Sequence, residues 1–454
     1  MPQNQAIYDA RQLGRAKMFI LGVQHMFAMF GATVLVPALT GLSVSATLLF
    51  AGLGTLLFHF ITKRKVPAFL GSSFAFIGGY QAIAPMLEDG SANTQMLPYA
   101  CFGVMLAGLM YVILSALFKV FGTKKVMRYF PPIVTGPVII CIGLTLSSTA
   151  ITNCRDNWAI ALIAIAIVVG CNIWGKGMVK IIPILLGVVG SYGVAVICQV
   201  TGMHTMDPAK LQALADAPWI GLPFQFEDTL FGLFSRPDLD TGLLLTAAVT
   251  IMPLSLATMV EHIGDMCAIS STCERNYLQD PGFHRTLLGD GLATSLASIF
   301  GAPANTTYGE NTGVLALSKV YDPRVIRIAA GLAILFSFSP KFAALVSAMP
   351  TATMGGVSMV LYGMISAVGV RNVVENQVDF TNSRNVIIAA LIMVLAIGIN
   401  YSGAVSFQVG EATISLSGLA VAAITGIVLN AILPGKDYEF GHDEKGDTAV
   451  NFKV

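Results

Sequence analysis

Apolar runs of about 20 residues, long enough to cross a bilayer as helices, recur along the whole chain and are broken by short polar stretches. The pattern predicts fourteen membrane segments, near residues 18–38, 43–62, 69–86, 97–120, 130–150, 157–174, 180–200, 241–267, 284–301, 304–319, 324–346, 351–369, 384–401 and 413–433. The third and tenth break the rule. Each opens on small and polar residues, Gly71-Ser72-Ser73 and Asn305-Thr306-Thr307, and leaves too few apolar positions for a full helix. Non-helical backbone inside a bilayer is tolerated only where protein buries it or it lines a cavity. Both segments are therefore expected to start extended and turn helical near mid-bilayer. The stretch from Asn305 to Gly313, which carries Tyr308, Gly309 and Glu310, is a site candidate on this ground alone.

Composition agrees. The chain is 55% hydrophobic and 11% charged, whereas soluble domains carry roughly 25% charged residues; a soluble enzyme of this make-up could not cover its surface. The net charge of +1 says nothing about nucleic acid, but there is no basic cluster of the kind such binding needs, so no nucleic-acid partner is expected. The polar N-terminal residues run straight into a full-length span, so no cleaved signal is expected. The seven cysteines show no metal or CxxC spacing and behave as small hydrophobes; no metal and no cofactor is expected.

Basic residues set the topology. With the N-terminus in the cytoplasm, 22 of the 26 Lys and Arg fall on the inner side, among them Lys63, Lys124, Arg371, Lys436, Lys445 and Lys453. Only Arg155, Lys210, Arg236 and Lys341 fall outside. An error in span count would invert every later loop, so this split supports fourteen spans with both termini cytoplasmic. The two halves also repeat weakly. Gln24-His25 matches Glu261-His262; Phe74 follows the first by fifty residues, and Glu310 follows Glu261 by forty-nine. Seven spans between copies make the second copy inverted, the pattern of secondary transporters whose substrate sits where two broken segments meet.

Ionisable residues well inside spans are few: His25, Glu261, His262, Asp265, Asp290 and Glu310. A charge at the bilayer centre costs about 2.5–3.5 kcal/mol on insertion scales, so it faces a cavity or a partner. Glu261 and Asp265, four apart, share one helix face. Two carboxylates close together in a dry site repel unless they share a proton, which makes them candidates for proton coupling, with the proton as coupling ion. No Lys or Arg is expected deep in a span. Carboxylates and backbone N–H groups suit a cation or a neutral planar ring with alternating N–H and C=O edges. Phe74 and Tyr308 are placed to stack on such a ring, with Tyr362 near a small-residue run that closes over it. His25, His262 and Asp290 fit a structural role as well as a functional one.

At these residues the chain resembles the nucleobase–ascorbate transporter family, most closely its bacterial uracil permeases, over roughly residues 15–435. The carriers are Gln24 to Pro37, Leu70-Gly71-Ser72-Ser73-Phe74-Ala75-Phe76, Glu261-His262-Ile263-Gly264 and Asn305 to Gly313. The last overlaps the family signature, with Ser318 where the signature has Thr. The resemblance implies an all-α polytopic fold: fourteen transmembrane segments in two inverted seven-segment repeats, with short strands in segments 3 and 10. A core domain (18–120 and 241–346) would carry substrate, and a gate domain (130–200 and 351–433) would brace it. It further implies a lipid-embedded homodimer in the cytoplasmic membrane, with proton-coupled, elevator-type transport. By position, Glu261 and Glu310 bind the ring, Phe74 and Gly309 offer backbone contacts, and Ala32, Tyr308 and Tyr362 line the pocket. Asp265, Glu261 and His25 carry proton coupling; Gln24, Ser72, Thr307, Asn311 and Asp290 support the site.

One departure matters. Uracil permeases place a His four residues after the Glu of span 8, where this chain has Asp265, as purine-carrying relatives do. Glu310 is the uracil-type choice where xanthine carriers have Gln. Uracil is favoured because residue 310 would touch the ring and residue 265 would tune Glu261. The alternatives are a xanthine or purine permease of the same family, an anion exchanger of the same fold, which Glu261 and Glu310 oppose, and a membrane-embedded enzyme, for which no nucleophile or cofactor motif stands beside the carboxylates.

Overall fold

The computed structural model describes residues 6–435 apart from 88–90, 123–124, 127, 204–205 and 410–411. Lys124, Lys436, Lys445 and Lys453, counted above on the inner side, lie outside the described residues. The chain begins with α1 (Arg15–Thr40) and α2 (Val44–Ile61); Gly41 turns between them at φ 80°, and Ser43 caps α2 by accepting from the Ala46 N–H. β1 (Leu70–Ser72) and a single 3-10 turn at Phe74–Phe76 lead into the short α3 (Ile77–Ile83). Then come α4 (Leu97–Phe121), α5 (Pro132–Cys154), α6 (Trp158–Trp174) and α7 (Pro183–Val200). After a polar connection follow α8 (Thr241–Ile251), α9 (Leu254–Thr272) and α10 (Phe283–Ile299). β2 (Asn305–Thr307) precedes α11 (Gly309–Ser318), and α12 (Pro323–Ser337), α13 (Pro340–Ser347), α14 (Thr351–Glu375) and α15 (Ser383–Ser402) follow. A hairpin of β3 (Val405–Val409) and β4 (Ala412–Leu416) leads into α16 (Gly418–Ile432).

Several helices start on proline at the first or second position (α4, α5, α7, α12, α13), where its missing N–H costs no intrahelical bond. Among the described residues, eight helical spans are long and apolar enough to cross a membrane, with α8 and α9 taken together, or nine if the bent pair α12–α13 is one. Large apolar side chains such as Phe19, Ile113, Leu162, Ile197 and Val394 point outward from these helices. An outward apolar belt of this kind is the surface that lipid tails cover.

The third and tenth segments are built as their sequences imply. β1 and β2 pair antiparallel, Leu70 opposite Thr307, Gly71 opposite Thr306 and Ser72 opposite Asn305, and each runs into a short helix. Elsewhere the structure corrects the sequence reading. The segment read as 324–346 is two helices bent by 89°, because Pro340 cannot continue α12 and Ser339 caps a new helix by accepting from the Phe342 N–H. The segment read as 241–267 breaks at Pro253 and runs on to Thr272. The one read as 351–369 extends to Glu375, which turns Arg371 from a loop residue into a helical one. Residues 413–416, read as the start of the last span, are strand β4, paired with β3 from Val405 opposite Leu416. The apolar run conceals the change of period. Its helix α16 is 15 residues, about 22 Å long and shorter than a bilayer core of about 30 Å.

Packing gathers the helices around the paired strands. α4 lies on α10, α2 on α12 and α1 on α12; α5 lies on α14, α6 on α7 and α15 on α16. At one end, the N-terminal segment straps two site elements together. The Ile7 N–H donates to Lys319 O and the Tyr321 N–H to Ile7 O (both 2.8 Å), the Tyr8 hydroxyl donates to Cys273 O (2.9 Å), and the Ala10 N–H donates to Asp322 (2.6 Å). The ends of α9 and α11 are thereby fixed to each other.

Candidate functional site

The strand crossing is held by side chains rather than by its three residue pairs alone. The Tyr308 hydroxyl donates to Ser72 O (2.9 Å), Ser72 Oγ donates to Thr33 O (2.9 Å), and the Tyr308 N–H donates to Phe69 O (3.0 Å). Asn305 Nδ2 donates to Phe50 O (3.0 Å), and its own carbonyl accepts from Thr294 Oγ1 (2.9 Å). Close approach requires glycine at two places. A Cβ on Gly71 would run into the Tyr308 ring, and one on Gly54 into the Asn305 amide. The crossing is thus pinned to α1, α2 and α10 by these side-chain bonds as well as by its own strand pairing.

Beside this crossing lies a cavity of about 350 Å³. Glu261, Gly264 and Asp265 of α9 line it, as do Thr306, Thr307, Tyr308, Gly309 and Glu310 of β2–α11, and Phe74. Asp265 accepts from the Thr307 hydroxyl at 2.7 Å. Glu261 Oε2 is buried and has no hydrogen-bond partner among the described residues. The space a Cβ would take on Gly309 is open among the described residues, and the side chains of Tyr308 and Ser73, which precede α11 and the Phe74 turn, make no capping hydrogen bond. The first N–H groups of a helix have no partner within it. The cavity therefore presents carboxylate acceptors and backbone donors side by side, with Phe74 and Tyr308 as aromatic walls. That combination is chemically complementary to a neutral planar ring with N–H and C=O groups on its edge.

The other expected site residues stand behind this lining. Ala32 and Tyr362 are fully buried and do not face the cavity; Tyr362 backs Phe74 edge-on, ring centroids 5.9 Å apart. His25 is fully buried, and its carbonyl and Nδ1 meet Asn311 Nδ2 at 3.0 and 3.1 Å, which ties α1 to α11. Gln24 is half-buried on the preceding position of α1. Asp290 is buried on α10 with its Oδ2 3.0 Å from His262 Nδ1, both side chains fully enclosed, at an angle that does not meet hydrogen-bond geometry. This His262–Asp290 pair locks α9 to α10 one residue from Glu261. Sequence reading had both residues singly and missed the pair, which exists only through helix packing.

It also missed the far end of the cavity. There Thr135 of α5 and Arg371, Asn372, Glu375 and Asn376 at the end of α14 complete the lining. The signal was present in the Arg371-Asn372 and Glu375-Asn376 dipeptides but lay beyond the assumed end of the span.

A model of the Permease family matches residues 16–404. The chain is 38% identical to a uracil permease of Bacillus subtilis (strain 168), an alignment covering 95% of this chain and 95% of that one. It is 40% identical to a uracil permease of Bacillus caldolyticus, covering 95% and 96%. In three dimensions it is similar to the transmembrane domain of the cyanobacterial bicarbonate transporter BicA, with a TM-score of 0.55 at 15% identity over 94% of this chain and 99% of that one. Likeness at that identity speaks for the fold and not for the cargo.

Proposed function

Since the chain belongs to the Permease family, the nucleobase–ascorbate transporters, and is an integral membrane transporter rather than an enzyme, we propose that it takes up uracil across the cytoplasmic membrane, coupled to protons. The observation that carries this reading is the cavity in which Glu310 and Glu261 face the same space as the first residues of α11 and of the Phe74 turn. A uracil ring offers two N–H donors and two carbonyl acceptors in one plane. The carboxylates accept from the N–H groups, and the backbone N–H groups at the start of α11 and at Phe74 donate to the carbonyls. Phe74 and Tyr308 enclose the ring faces.

Asp265 bears on the choice between uracil and a purine. One of its oxygens is engaged by the Thr307 hydroxyl, which fits a brace of β2 and a partner for Glu261 in proton handling better than a ring ligand. Asp265→Asn keeps an oxygen for Thr307 and removes the charge. Uracil binding by the purified variant is expected within about threefold of wild type, while uptake driven by a pH gradient falls by at least about tenfold. Equal loss of both would make Asp265 a ligand. The substrate itself is tested by ligand-dependent melting of the purified protein: uracil raises the melting temperature and xanthine does not. The reverse would make the chain a purine carrier.

The movement follows the same reading. Fourteen segments in two inverted repeats, a core of 18–120 and 241–346, and a gate of 130–200 and 351–433 are supported by the antiparallel meeting of β1 with β2 and by the placement of α5 and α14 opposite the site. The core would slide against the gate as an elevator within a homodimer, both termini cytoplasmic. An anion as cargo is disfavoured: among the described residues the cavity is lined by Glu261, Asp265, Glu310 and Glu375 against the single cation Arg371, which is bonded to Glu375.

A further inference from the structure

Where α2 and α4 end and α10 begins, a group of cations stands without counter-charge. α2 and α4 both lie on α10, and two bonds fix the meeting of their ends. Ser115 Oγ donates to His284 O (2.5 Å), and Arg285 Nη1 donates to Ile61 O (3.0 Å), the last residue of α2. Just beyond, Lys63 and Arg64 take the left-handed conformation (φ 57° and 58°), which non-glycine residues rarely adopt, so the chain turns sharply at the helix end. Lys63, Lys119 and Arg285 stand close enough to His284 for their charges to act on its ring. None of these three forms an ion pair among the described residues, and Asp280, the acid on the adjoining turn, is paired with Lys65.

The same helix ends carry bare apolar side chains. Phe60 on α2 is 73% exposed and Val120 on α4 74%, with Leu117 one turn earlier also exposed. Cations held together without a counter-ion repel one another, and an exposed apolar patch beside them marks a surface that something covers. One kind of molecule answers both, an amphiphile with an anionic head. We propose that this corner binds an anionic phospholipid, its phosphate among Lys63, Lys119, Arg285 and the His284 ring, and its acyl chains along Phe60, Leu117 and Val120. Basic pockets between transmembrane helices hold such headgroups. A free phosphate would meet the same cations but leave the apolar side chains bare, so the lipid is the occupant that fits. The lipid would also brace α10, the helix that carries Asp290 and, through Thr294, holds Asn305 of the strand crossing. The proposal uses the topology that puts these helix ends on the cytoplasmic side and does not depend on which ring is carried.

The rival explanation is the general excess of basic residues on the inner side of membrane proteins. Lys176 and Lys180, between α6 and α7, belong to the same excess and supply the comparison. The test is native mass spectrometry of the purified full chain in neutral detergent, titrated with dioleoylphosphatidylglycerol, dioleoylphosphatidylcholine or inorganic phosphate. Wild type is expected to retain phosphatidylglycerol at concentrations where phosphatidylcholine is released. Lys63→Gln combined with Lys119→Gln should weaken that retention by about thirtyfold, the worth of two basic side chains at an anionic headgroup. Lys176→Gln combined with Lys180→Gln removes the same charge and should leave retention near wild type. Both side chains of the first pair are exposed, so its melting temperature without added lipid should match wild type, which separates lost binding from lost fold. Equal weakening in the two double variants would reduce the attraction to general surface charge and overturn the site. So would undiminished retention in the first pair. Inorganic phosphate that displaces phosphatidylglycerol at millimolar concentration would assign the corner to a free anion and overturn the lipid.

Discussion

Glu310→Gln weakens uracil binding by roughly 10- to 150-fold, the loss of one hydrogen bond to a charged acceptor. The carboxylate accepts at both oxygens, whereas the amide places an N–H₂ where one of them was. A ring N–H then meets a donor, and the site loses an attraction and gains a repulsion in one substitution. The half-helix α11 and the bonds that hold its start, Tyr308 to Ser72 and Asn311 to His25, do not involve the Glu310 side chain. The variant therefore folds, and the loss is read in Kd rather than in yield. A purine that presents an acceptor at that position is expected to gain affinity in the variant. Titration of the purified protein with uracil and xanthine measures both; uracil binding retained at wild-type strength would remove Glu310 from the site.

Asp290→Ala destabilises the whole protein by roughly 3 kcal/mol, because it removes the polar atom 3.0 Å from the enclosed His262 ring and leaves a cavity between two packed helices. The two side chains are 3.0 Å apart and fully buried, and they join α9, which carries Glu261, to α10, which underlies Asn305 through Thr294. The melting temperature of purified protein should drop by several degrees. Asp290→Asn, which keeps a polar atom facing His262, should drop it less. Melting of the alanine variant indistinguishable from wild type would show that the pair does not hold the helices together.

How much of this was legible beforehand depended on whether a residue's role is local. The paired strands were, because Gly71-Ser72-Ser73 and Asn305-Thr306-Thr307 are too polar for lipid and too small to be packing cores, so each had to be extended backbone inside protein. Glu261, Asp265 and Glu310 were legible for the same reason: a carboxylate in an apolar span has few places to point. The 89° bend at Ser339 was visible as Pro340 but was outweighed by the apolar residues around it. The β3–β4 hairpin was hidden by the apolar run that continues it, where a period of two passes unnoticed beside helix-length hydrophobicity. The mouth of the cavity was lost by ending α14 six residues early, and boundaries are the least certain feature of any such reading. The His262–Asp290 pair was beyond reach, since nothing in either helix reports which face of the other it meets.

The most direct measurement of the central claim is counterflow in proteoliposomes containing only this protein. With unlabelled uracil trapped inside, labelled uracil supplied outside should accumulate transiently and be recovered chemically unaltered. Excess external uracil should abolish the signal, and excess xanthine should leave it. An inward pH gradient should drive net uptake in wild type. Counterflow supported by xanthine and not by uracil, or uracil recovered as another compound, would contradict the account.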